Sequence, residues 1–132
     1  MSHPVEFLTV EDLIELARQL LGDPPPIRDA GLLASAAARP QATAFGENAY
    51  ADLWEKAAAL LHSIVTNHPL VDGNKRLSWL ATAVFLLVND VPADQAENND
   101  VYDLVISVAE GRAGFREVGE IAERLRTVVP QE

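Results

Sequence analysis

The chain has no cysteine, so neither a disulfide framework nor a thiolate metal site is open to it, which suits a reducing compartment. Glycine is sparse at seven residues and aromatics make up only 6%, whereas Ala and Leu carry most of the 48% apolar content. That balance favours helices over sheet, and folding over disorder. Lysine and arginine together number ten against twenty acids, a net charge of −10. Such a field repels phosphate backbones and anionic bilayers, which speaks against direct nucleic-acid binding and against a membrane-surface role. Leu77–Val88, the longest nearly apolar run, is too short to span a bilayer. The N-terminal MSHPVEFLTVEDL lacks the basic and apolar regions of a signal peptide, so a cytoplasmic protein is expected. With 132 residues, one domain spanning 1–132 is expected, long enough for a real core. Any anion must then be held by a local site.

Helix start and stop signals recur along the chain. In TVEDLIELARQLLG, Thr9 can cap, acids occupy the first turn and Gly22 marks the stop. DPPPIR is a stiff connector, because three prolines cannot continue a helix. Asp29 can cap AGLLASAAA, a short helix ended by Arg39-Pro40. Residues 40–50, PQATAFGENAY, show no period and read as a loop with a short hairpin around Gly46-Glu47-Asn48; loops of this kind often carry recognition. Asp52 opens LWEKAAALLHSIVTN, whose stripe of Leu53, Ala57, Leu60, Leu61 and Ile64 reaches His68 on adding four, near the end of the buried face. Leu77–Val88 is apolar nearly all round, as a central helix packed by neighbours would be. Asp100–Glu110 and Phe115–Val129 are two further amphipathic helices, separated by GRAG. The expected fold is all-α, about six helices with a central apolar one.

The scarce basic groups gather in one place. NHPLVDGNKRLSW, residues 67–79, holds one of three histidines and one of two lysines, beside an arginine. Gly73-Asn74-Lys75-Arg76 falls where a loop becomes a helix N-terminus, whose first amides lack intrahelical partners and whose dipole is positive. Glycine lets backbone approach an anion closely, Asn74 adds a neutral donor, and Lys75 and Arg76 add full charge. These parts make a phosphate site. Asp72 is a poor neighbour for bare phosphate but a good one if Mg²⁺ bridges its carboxylate to the phosphates. His68, four residues earlier, is suited to take a proton from an attacking hydroxyl near neutral pH. Phosphoryl or nucleotidyl transfer to a hydroxyl follows.

Blander readings stand beside these. Asp72 taken alone reads as a helix cap, and His68 alone as a hydrogen-bonded structural residue. Lys75 and Arg76 also fit as solvated first-turn residues, although the helix dipole disfavours cations there. The G-x-x-x-x-G-K-[ST] and G-x-G-x-x-G signatures are missing, and His62, His68 and Asp72 lack a paired zinc-ligand spacing.

HPLVDGNKR resembles the signature loop of the Fic/Doc family, His-Pro-Phe-x-Asp/Glu-Gly-Asn-Gly/Lys-Arg, and GLLASAAARPQA upstream is similar to the Doc (death-on-curing) branch. The resemblance implies His68 as general base and Asp72 as Mg²⁺ ligand. Gly73 and Asn74 would form the anion nest, with Lys75 and Arg76 on the phosphates of ATP. Leu70 replaces the usual Phe, a packing position behind the loop. Lys75 stands where adenylylating members usually carry a second Gly, and Trp79 where they usually carry a second Arg. In Doc-like members that change accompanies reversed nucleotide placement and γ-phosphate transfer to a Thr of elongation factor Tu, which inhibits translation. A Phd-type antitoxin covers such toxins. A protein adenylyltransferase of the same fold and a non-catalytic helical binding module are the alternatives. Thr43–Asn48, TAFGEN, literally fits the family's inhibitory [S/T]-x-x-x-E-[G/N] helix, but Gly46 is a poor helix-interior residue, so no regulatory glutamate is expected there.

Overall fold

A computed structural model describes residues 4–131. The capping residues named above set the helix starts. Thr9 and Asp12 form a reciprocal capping box before α1 (Val10–Leu21), which Gly22 closes. The Asp29 carboxylate accepts from Leu32 N at the start of α2 (Ala30–Ala38), followed by a 3₁₀ turn over Arg39–Gln41. Asp52 and Glu55 box the start of α3 (Leu53–Asn67), and α4 (Asn74–Val88) follows the motif loop. A second 3₁₀ turn, Ala93–Gln95, leads into α5 (Asn98–Ala109) and α6 (Val118–Val128). Among the described residues no helix is long and apolar enough to cross a membrane.

The all-α expectation holds, with β1 (Thr43–Ala44) and β2 (Glu47–Asn48) as the only strands among the described residues. They pair antiparallel, Thr43 opposite Asn48 and Ala44 opposite Glu47. The turn is Phe45-Gly46, earlier than expected, with both residues at positive φ (54° and 81°), as a type I′ hairpin requires. TAFGEN is therefore a hairpin and not a helix.

Helix α3, and not the expected Leu77–Val88 helix, lies at the centre, against α2, α4, α5 and α6, because its run of small residues lets neighbours approach on every side. Ala57, Ala58 and Ala59 let those neighbours approach, while Leu60, Leu61 and Ile64 fill the space between them, all buried. Helix α4 packs on α1, α3 and α5 through Leu77, Ala81, Phe85 and Leu86. Its buried hydroxyls are satisfied within the helix, Ser78 donating to Lys75 O and Thr82 to Ser78 O. The expectation of packing all round α4 is corrected at its C-terminal end, where Leu87 and Val88 are exposed (41% and 43%) and none of the described elements covers that side. Helix α6 starts three residues later than expected, since Glu117 and Glu120 cap it and Phe115 belongs to the preceding turn, under the Arg124 guanidinium.

Candidate functional site

Helix α3 ends at Asn67, and His68 follows in the left-handed conformation (φ 54°, ψ 61°). The chain leaves the helix there, so the step of four from Ile64 does not apply. His68 is exposed, and its expected place on the buried stripe is corrected.

The loop after His68 is held from two sides. From outside, the proline-rich connector lies along it: Arg28 N and Asp29 N both donate to Pro69 O (2.8 and 3.0 Å), and Val71 N donates to Pro26 O (2.8 Å). Ile27 and Leu70 form an antiparallel bridge between these contacts. Arg28 adds its guanidinium, Nε donating to His68 O (2.7 Å) and Nη2 to Asn67 O (2.9 Å). Helix α3 has no basic residue in its last turn, so Arg28 supplies that cation from another element.

From inside, Asn74 closes the loop. Its Oδ1 accepts from Leu70 N and its Nδ2 donates to Leu70 O, both at 2.9 Å, with Leu70 fully buried behind. The Asn74 amide side chain thus faces the protein and is engaged by Leu70, so it is not available as a donor to the cavity. Gly73 caps α4 at φ 86°, and a Cβ there would lie 2.7 Å from Leu21 Cδ1. The backbone angle calls for glycine, and a Cβ would in addition push aside the end of the Leu21 side chain.

No side chain caps α4, so its first amides stay open. Asp72, the obvious capping candidate, is exposed and does not take that role. Lys75 and Arg76 are exposed on the first turn. His68, Asp72, Gly73, Asn74, Lys75 and Arg76 all line one cavity of about 880 Å³, a size that admits a nucleotide. Trp79 continues its wall along α4, and α5 closes the far side with Val101, Tyr102, Val105 and Ile106. The α5 wall and Arg28 were not foreseen from the sequence. For Arg28 a signal exists: a helix with no cation in its last turn, and an arginine just after a proline run.

Beyond the cavity, Arg39 anchors the base of the hairpin on α3. Its Nε donates to Tyr50 Oη (2.8 Å), and its Nη1 to Ser63 Oγ (3.0 Å) and His62 Nδ1 (2.9 Å). Lys56, the other lysine, is buried and donates to the Tyr50 carbonyl. Burial pushes the His62 imidazole below its usual range, the Arg39 charge pushes it the same way, and Glu117 opposes. A neutral ring is also what an accepting Nδ1 requires. The native state therefore binds fewer protons here than the unfolded chain, and the stabilisation is complete above the ordinary imidazole value. It is lost as pH falls below about 6.5 and through the lowered native value. The melting temperature should drop between pH 7.5 and 5.5, and less so in His62→Gln, which keeps an acceptor. Equal drops in both proteins would contradict this.

A family model described as the Fic/DOC family matches residues 7–86. That span runs from just before α1 almost to the end of α4 and so contains the whole motif loop and the connector that holds it. The chain is also 48% identical over 121 residues to Toxin Doc of Mycolicibacterium smegmatis (strain ATCC 700084 / mc(2)155), a match that covers 83% of this chain and 93% of that one. With more than half of its length matched by the family model, the chain belongs to the Fic/DOC family.

Proposed function

We propose that the chain is the toxin of a toxin–antitoxin pair and a Mg-ATP-dependent kinase that places the γ-phosphate on a Ser or Thr hydroxyl of a protein. The carrying observation is the convergence of an exposed histidine, a free carboxylate and two cations around an uncapped helix N-terminus in one cavity. Likeness to a protein named Toxin Doc supports the toxin reading. The protein target is elongation factor Tu, and the partner a Phd-type antitoxin. Val71 and Tyr102, 71% and 65% exposed at the cavity wall, suit a covering amphipathic segment.

In this reading ATP is substrate and its phosphates lie on the open amides of α4, with Lys75 and Arg76 giving charge-assisted hydrogen bonds. The hydroxyl oxygen bonds to the γ-phosphorus as the bond to the β-phosphate oxygen breaks, and ADP leaves. His68 accepts the hydroxyl proton. The donor set fits Mg²⁺: Asp72 offers a hard oxygen that no cap consumes, and Mg²⁺ is commonly held by one or two carboxylates plus substrate phosphates. The ion, when bound, neutralises phosphate charge that Asp72 would otherwise repel.

Mg-ATP should raise the melting temperature, because a ligand at about 100 Kd stabilises the folded state by about 2.7 kcal/mol. ATP with a chelator should not. Asp72→Ala should remove the Mg²⁺-dependent gain while leaving the unliganded melting temperature near wild type, since Asp72 caps nothing. No shift with Mg-ATP would contradict the enzyme reading and leave a binding module; a lowered melting temperature with unchanged Mg²⁺ dependence would return Asp72 to a structural role.

A further inference from the structure

We propose that Arg28 is a positioning residue for the reaction: its guanidinium, forked onto the last carbonyl of α3 and the one after it, holds His68 in the left-handed turn that places its ring on the cavity. The inference rests on the reading of His68 as the base.

The backbone at His68 is where a holding device is needed. A residue before proline is pushed towards extended conformations by the proline ring, and His68 precedes Pro69. It nevertheless sits at φ 54° and ψ 61°. A non-glycine residue persists in such a region only when its surroundings over-determine it. The main-chain bond from His68 N to Ile64 O, at 3.3 Å, is long and fixes only the amide side.

The carbonyl side is gripped by Arg28. Nε reaches His68 O at 2.7 Å and Nη2 reaches Asn67 O at 2.9 Å, so one planar group binds both peptide units that flank the turn. The next carbonyl, Pro69 O, accepts from the main-chain amides of Arg28 and Asp29. Three successive carbonyls, 67 to 69, therefore answer to a single short stretch of the connector. The guanidinium bonds are charge-assisted and lie at the negative end of the α3 dipole, where a cation is favoured. Arg28 itself does not line the cavity. It acts on the reaction through His68, not through the nucleotide.

A cap that only stabilises α3 would lower the melting temperature and leave His68 as it is. A positioning role predicts more. In the ¹⁵N-labelled full chain, well below its melting temperature, Arg28→Ala should move the coupling between the His68 amide and α protons towards its extended-backbone value. Transfer of γ-label from ATP to protein in a bacterial translation extract should fall roughly 10–100-fold at saturating Mg-ATP, as small misplacement of a reacting group does. The apparent KM for ATP should stay at the wild-type value. Arg28→Lys keeps the charge but lacks the fork, so it should recover part of the rate. Wild-type coupling and wild-type rate in folded Arg28→Ala would overturn the proposal. Should Arg28→Ala not fold, Arg28→Lys carries the test: an intermediate rate with unchanged KM supports positioning, and a raised KM with full rate overturns it. Wild-type transfer by His68→Ala would overturn the base reading and the catalytic half of this proposal. The coupling in the Arg28 variants reads the positioning half separately.

Discussion

His68→Ala should reduce transfer of phosphate to protein by about 10²–10⁴-fold, the usual contribution of a general base, while the chain stays folded. Both halves of that expectation follow from where His68 sits. Its side chain is exposed and outside the helices, so truncation removes no packing. Histidine already bears the Cβ that disfavours the left-handed turn, so alanine adds little strain there and the melting temperature should stay within a few degrees of wild type. Stabilisation by Mg-ATP should persist, because the α4 amides, Asp72, Lys75 and Arg76 are all retained. The check pairs label transfer with the ligand-induced melting shift on the same protein. Transfer at the wild-type rate in a folded His68→Ala would remove His68 from the base role.

The parts of this structure that local chemistry controls were legible beforehand. Thr9, Asp29 and Asp52 start their helices as expected, because an N-cap acts on amides two or three residues away. The clustering of the candidate site residues on one cavity was legible for a related reason. His68 to Arg76 are contiguous, so their clustering at one loop and helix N-terminus needs no distant partner, although the shape of that loop is held by the connector 40 residues upstream.

What escaped the reading depends on contacts across the fold. Arg28 lies 40 residues from the carbonyl of His68 that it binds, and nothing in DPPPIR says which helix end it will meet. Asn74 was expected to offer its side chain to an anion, yet that amide satisfies both polar groups of Leu70, a demand visible only once Leu70 is buried. Helical periodicity alone puts His68 on the α3 stripe, but the helix ends one residue before it. The α5 wall is an ordinary amphipathic pattern whose inward face happens to meet a cavity and not only a packed neighbour.

Nucleotide orientation separates the kinase from the adenylyltransferase, and it turns on two residues of α4. Lys75 is exposed on the first turn, and Trp79, half-buried, lies one turn further along the same face; both line the cavity. Lysine is a compact point charge on a flexible stem, suited to a terminal phosphate. Glycine at that place would leave backbone amides open to the β-phosphate. Trp79 has no charge with which to clamp a triphosphate the other way round. Lys75→Gly should therefore either move label from the γ- to the α-position, if the lysine sets the orientation, or abolish transfer, if it only clamps phosphate. The decisive measurement sets γ-labelled against α-labelled ATP with the same protein target. Label should arrive from the γ-position alone, on a Ser or Thr hydroxyl, with a gain of about 80 Da; label arriving from the α-position, with a gain of about 329 Da, would contradict the kinase and make the chain an adenylyltransferase.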